Sequence, residues 1–132
     1  MSGGKRSQGS GKVSFEKVRE IGLQFPHVQE SMMYGKPALK VQGKMFACIA
    51  SHSSAEPDSL VVRTDFEQRA ELLEAEPSVY YITDHYQNYP GVLVRMARVN
   101  PGVLRDLLGM AYRLVAREAA GSRGPARRFR MP

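Results

Sequence analysis

The chain has 132 residues, with 42% apolar and 24% charged side chains and a formal net charge of +6. That length suits one domain, and the balance is that of a globular protein rather than a disordered chain, a collagen or a disulfide scaffold. No run approaches the ~18 apolar residues of a membrane span, and the basic start Met1-Ser2-Gly3-Gly4-Lys5-Arg6 leads into no apolar stretch, so neither a membrane segment nor a secretory signal is expected.

The single cysteine, Cys48, has no partner for an internal disulfide, which makes a reducing cytoplasm the expected home. The position of the charge matters more than its sum. Residues 1–12 carry Lys5, Arg6 and Lys12. Residues 117–132 carry five arginines against Glu118. The stretch 13–116 holds 11 basic and 12 acidic side chains, a net −1. The basic excess therefore sits at the two ends. Three regions follow: a flexible basic segment over 1–12, a folded domain over 13–117 and a second flexible basic segment over 118–132. Segments of such composition have too little to bury to offset their ordering entropy. They can meet phosphates without sequence preference.

In chain order, Ser14 is a good N-cap, and Phe15, Val18, Ile21 and Phe25 follow at helical spacing until Pro26. Gly22 inside that helix marks close packing on a sheet. Ser31 to Tyr34 reads as extended, broken by Gly35-Lys36-Pro37. Ala38 to Gln42 and Met45 to Ala50, joined through Gly43-Lys44, read as a hairpin. Residues 51–58 are a surface loop, and Leu60 to Arg63 is a further strand. Thr64 and Glu67 have capping-box spacing ahead of a helix from Asp65 to Ala75, with Phe66, Ala70 and Leu73 on one face. Val79 to Thr83 is extended. A polar, aromatic loop runs from Asp84 to Gly91, and Val92 to Val99 is the longest strand. Asn100-Pro101 reads as an N-cap followed by proline at the first helical position. The last helix runs to about Arg117, with Leu104, Leu107, Leu108, Ala111, Leu114 and Val115 as its buried stripe.

The order is helix, three or four strands, helix, two strands, helix. Strand connections this short exclude most parallel crossovers. The expected fold is α+β, in two layers: an antiparallel sheet with helices on one face and the other face partly open.

Two stretches carry a resemblance. One is Tyr34-Gly35-Lys36-Pro37-Ala38-Leu39-Lys40-Val41 with Gly43-Lys44-Met45-Phe46-Ala47. The other is Tyr81-Ile82-Thr83-Asp84-His85-Tyr86, Tyr89-Pro90 and Val92-Leu93-Val94-Arg95 with the leucine-rich last helix. In order and spacing over about residues 14–117 the chain resembles the MmcQ/YjbR family of small bacterial proteins. The resemblance implies a compact α+β domain related to the CyaY and secretion-chaperone-like folds. It also implies a DNA-binding label resting on a double-wing arrangement, with no established catalysis and no agreed cofactor. Some relatives place a tryptophan near the aromatic loop. This chain has none, so stacking there falls to tyrosine.

His27, His52 and His85 are far apart and form no metal-ligand spacing, so no metal and no cofactor are expected. Cys48 lies in an apolar run and reads as a small buried hydrophobe, not a nucleophile. The candidate nucleic-acid contacts are three groups. Lys36, Lys40 and Lys44 surround a wing-like hairpin. His85, Tyr86 and Tyr89 form the aromatic loop. Arg63 and Arg95 join Lys40 in a basic stripe on the open face. The expected function is a non-enzymatic DNA-binding protein. The alternative is a protein-binding or adaptor module, including a homodimer, that uses the open sheet face or a sheet edge.

Overall fold

The computed structural model describes residues 13–122. The segment 1–12, and residues 123–132 of the segment 118–132, both segments expected to be flexible and basic, lie outside the described residues. The elements in chain order are α1 (Phe15–Gly22), β1 (Val28–Met33), β2 (Lys36–Val41), β3 (Lys44–Ile49), β4 (Ser59–Arg63), α2 (Phe66–Ala75), β5 (Tyr80–Tyr81), a short 3-10 turn (Asp84–Tyr86), β6 (Gly91–Arg95) and α3 (Pro101–Ser122). All strands join one antiparallel sheet in the order β1-β2-β3-β4-β6-β5. The mixed α+β class and the antiparallel sheet agree with the expectation. Among the described residues no helix is long and apolar enough to cross a membrane.

Two tight turns build the first three strands. Tyr34-Gly35 and Gln42-Gly43 each have positive φ at both positions, with Met33 paired to Lys36 and Val41 to Lys44. These two-residue turns twist the chain as the flanking strands require. The turn at Gly35 is shorter than the sequence suggests, so Lys36 and Pro37 already belong to β2.

β3 contains a bulge. Leu39 pairs with Ala47, whereas Lys40 pairs with Met45, which leaves Phe46 as the extra residue. The bulge resets the alternation. Phe46 and Ala47 both enter the main core, while Met45 and Cys48 both lie on the other face.

The main core lies between the sheet and the helices. Leu39, Val41, Phe46, Leu60, Val62, Val92 and Val94 meet Val18 and Ile21 of α1 and Leu104, Leu108, Ala111 and Val115 of α3. A Cβ on Gly22 would come within 2.4 Å of Leu39 Cδ1, so the glycine sets the close approach of α1 to β2.

Three local expectations are corrected. The cap of α2 is Asp65, whose carboxylate accepts from Gln68 N–H at 2.7 Å, while Gln68 Oε1 accepts from Asp65 N–H at 3.1 Å. Thr64 is instead buried, and its hydroxyl has no hydrogen-bond partner among the described residues. Phe66 is not a core residue; it is exposed, and the Arg69 guanidinium lies 4.7 Å from its ring. The last helix passes the expected end at Arg117 and reaches Ser122, with Ala119 buried and Glu118 fixed by an ion pair. Its start is as expected, since Asn100 Oδ1 accepts from Val103 N–H at 2.8 Å.

Candidate binding cleft on the second face of the sheet

The strand pleat sends alternate residues away from the helices. On that second face Ala38, Cys48, Val61 and Leu93 are buried, and Met33, Met45, Tyr81, Tyr86 and Tyr89 pack around them. Among the described residues no α-helix covers this cluster. Two loops do: residues 51–58 and the aromatic loop 84–90. Between the loops and the first hairpins lies a cleft of about 220 Å3, with Met33, Tyr34, Met45, Cys48, His85 and Tyr86 among its lining residues.

The first loop is pinned at both ends. Arg95 holds Glu56 through two hydrogen bonds of 2.9 and 3.0 Å, and Tyr81 Oη accepts from Glu56 N–H at 2.7 Å. The hydrogen bond from Arg95 holds the Glu56 carboxyl below the usual carboxylate range. His52 stacks on His85 with ring centroids 3.5 Å apart, and Ser54 Oγ lies 2.8 Å from Thr83 Oγ1. The two loops therefore form one continuous wall.

The aromatic loop is fixed by a residue the sequence reading passed over. Arg69 of α2 donates to the carbonyls of Tyr89 at 2.9 Å, Gln87 at 2.9 Å and Tyr86 at 3.3 Å. An arginine in a short helix gives no sequence signal of this role. Its rigid fork of donors suits several carbonyls at once. Gly91 completes the arrangement, because a Cβ there would meet the Tyr89 ring at 2.9 Å and the Val62 carbonyl at 3.0 Å.

The candidate residues separate into three sets. His85, Tyr86 and Tyr89 all line the cleft. Lys36 and Lys40 stand on its face, because Lys36 pairs with Met33 and Lys40 with Met45, and both methionines line the cleft. Cross-strand partners point to the same side, with Cβ atoms ~5 Å apart. Lys44 pairs with Val41 and so points to the helix side; the bulge separates it from the other two. None of the three lysines has an ion pair among the described residues.

Arg63 and Arg95 share the second face by register but do not form a basic stripe with Lys40. Ser59 pairs with Arg95 and Arg63 with Gly91, so the two arginines sit at opposite ends of β4 and β6. Each is neutralised. Arg63 pairs with Glu118 at 2.7 Å and donates to the Pro90 carbonyl at 2.8 Å. Arg95 pairs with Glu56 and lies 4.3 Å from the Tyr81 ring. They act as clips that hold α3, the loops and β5 in place.

Burial favours the protonated form of three side chains in the cleft. Burial pushes the Cys48 thiol up to about 11 and the Tyr89 hydroxyl up to about 12. Burial also raises Tyr86, against a hydrogen bond with the His52 backbone. A thiol in that state is a poor nucleophile at neutral pH. Among the described residues no three His, Cys, Asp or Glu side chains are grouped to hold a metal ion. The cleft offers apolar contact, thioether and aromatic surfaces, a few hydrogen-bonding groups and two lysines at its side.

Comparison with known proteins agrees with this fold. Uncharacterised proteins of Mycobacterium bovis (Mb2600) and Mycobacterium tuberculosis (Rv2570) are each 40% identical over 45 residues, a match that covers 34% of this chain and 35% of theirs. The crystal structure of Deinococcus radiodurans protein DR2400, a DUF419 domain, is similar in fold with a TM-score of 0.66 at 23% identity, covering 82% of each chain. The YjbR family model matches residues 23–114, which span all six strands, and the chain belongs to the YjbR family.

Proposed function

We propose that this YjbR-family domain is a non-enzymatic nucleic-acid-binding module whose contact surface is the second face of the sheet. One observation carries the reading. Lys36 and Lys40, which have no ion pair among the described residues, stand beside the same cleft that His85, Tyr86 and Tyr89 line from the opposite loop. Aromatic rings beside lysines suit bases and phosphates respectively. The domain's near-neutral charge makes these local cations matter more than the net +6 of the chain.

The test is binding of the full chain to labelled DNA across a salt series. Replacing Lys36 and Lys40 by alanine together weakens binding and lowers the salt slope by about 2, close to one per phosphate contact removed. Replacing Arg127, Arg128 and Arg130 by alanine lowers affinity as well but leaves a remainder. If the lysine pair has no effect and the arginine variant removes all binding, the terminal segment is the binder and the domain reading fails.

A second reading as a protein-binding module is favoured by a different place. β1 is an edge strand, six residues long, with Met32 60% exposed and no proline or lysine guarding it. Such an edge accepts an added strand. A concentration-dependent sedimentation coefficient that Met32→Lys abolishes is the result expected from a second copy at this edge.

A further inference from the structure

We infer that the cleft receives a single unpaired base, so that the ligand of this face is single-stranded nucleic acid rather than a duplex; this rests on the nucleic-acid reading above. Three observations lead to it.

The first is shape. The cleft is a concavity of about 220 Å3, not a flat or convex surface. A cavity of ~150 Å3 takes benzene, so this volume suits one heteroaromatic ring system and excludes a base pair. Bases in a duplex offer only their edges, while an unstacked base offers its faces.

The second is the lining. Met33 and Met45 supply thioethers, and Tyr34 and Tyr86 supply rings, around a floor that includes Cys48 and Val61. Thioether and ring surfaces suit a planar π system. His85 and Ser51 at the wall supply hydrogen-bonding groups. Tyr34 is 84% exposed on a turn with φ +53, so its ring is not spent on the core.

The third is charge. Lys36 and Lys40 lie on the cleft's face, four residues and ~13 Å apart along β2. A strand running along β2 meets a cation at each of those positions. Duplex binding draws on many phosphate contacts. The other cations of this face, Arg63 and Arg95, are already paired with Glu118 and Glu56.

The experiment compares three probes on the full chain by fluorescence anisotropy. They are a short oligo-thymidylate strand, an abasic strand of equal length and a duplex of equal length. Phosphate contacts through the terminal segments are common to the two single strands, so their ratio reports the cleft, while the denser charge of the duplex favours it in any purely electrostatic binding. The thymidylate strand is expected to bind about tenfold more tightly than the abasic strand and the duplex, which is the size of one good stacking contact. Tyr34→Asn is expected to remove that preference. Asparagine accepts the positive φ of the turn, so this variant folds. Ser51→Trp, on the exposed loop, is expected to do the same by filling the mouth.

Equal binding of the three probes would overturn the inference and leave the nucleic-acid reading standing. A single-strand preference that survives both variants would also overturn it, because the base would sit elsewhere. Loss of all binding in the Arg127, Arg128 and Arg130 variant would remove both readings. If an acidic peptide with a leucine anchor is bound in a Tyr34-dependent way while no oligonucleotide is, the cleft belongs to a protein ligand.

Discussion

The two faces of the sheet are made by alternate residues of the same strands, yet they are finished differently. On one face Leu39, Phe46, Leu60, Val62 and Val94 are sealed under α1 and α3. On the other, Ala38, Cys48, Val61 and Leu93 are buried only by loops and by tyrosine and methionine side chains. Helices cover a surface continuously and pack closely against it, with few voids. Loops pinned by single arginines leave a gap, and that gap is the cleft. Stability is thus concentrated on one face and adaptable surface on the other.

The largest effect expected from this difference is in the core. Phe46→Ala, beneath the helices, is expected to cost about 3–5 kcal/mol in denaturant unfolding. Val61→Ala, one strand away on the second face, is expected to cost less than half as much. Equal losses would break the distinction between the faces.

Next in size is Arg69→Met. It keeps the apolar stem and removes charge-assisted hydrogen bonds to three loop carbonyls, each worth at most about 1.5–3 kcal/mol. Because the site is partly exposed, a net loss near the lower figure is expected. The sharper readout is hydrogen exchange. Amides of residues 84–91 should exchange faster, while those of β3 and β4 stay protected.

The buried thiol gives a pH test. Cys48 titrates at about 11 in the folded chain, above an unfolded cysteine at ~8.5. Folding therefore favours the protonated form. The stability this contributes is whole below about pH 8.5 and is lost as pH rises through 11. Tyr89, pushed up to about 12, acts in the same direction somewhat higher. Stability should fall between pH 9 and 11, and Cys48→Ala should flatten the lower part of that fall. In the native chain Cys48 should alkylate slowly at pH 8.

The smallest effects lie at the start of α2 and carry opposite signs. Asp65→Ala removes a working cap and should cost about 1 kcal/mol. Thr64→Val removes a buried hydroxyl without a partner and should raise stability by up to about 1 kcal/mol. A destabilised Thr64→Val would return the capping role to Thr64.

Much of this architecture is legible in the residues. The stripe Leu104, Leu108, Ala111 and Val115, the cap at Asn100 and the alternation of Val92 and Val94 against Leu93 all stand as spacing implies. What spacing does not carry is any event that changes phase or crosses the chain. The bulge at Phe46 turns Lys44 away from Lys36 and Lys40, and nothing local in Lys44-Met45-Phe46-Ala47 announces it. The pairings of Arg63 with Glu118 and of Arg95 with Glu56 join residues 55 and 39 apart, so the arginines of a stripe read from strand parity are neutralised by a helix and a loop distant in sequence. Thr64 and Asp65 are both good caps, and only the backbone decides between them. The aromatic loop is visible as composition, but its attachment through Arg69 appears only in three dimensions.

On the proposed reading the second face of the sheet, and not the terminal segments, holds the binding site. Amide chemical shifts of the full chain, followed while an oligo-thymidylate strand is added, test it most directly. The expected result is a contiguous set of shifts at Tyr34, Lys36, Lys40, Met45, His85 and Tyr86, saturating together. Shifts confined to residues 1–12 and 123–132, with the cleft unmoved, would contradict it.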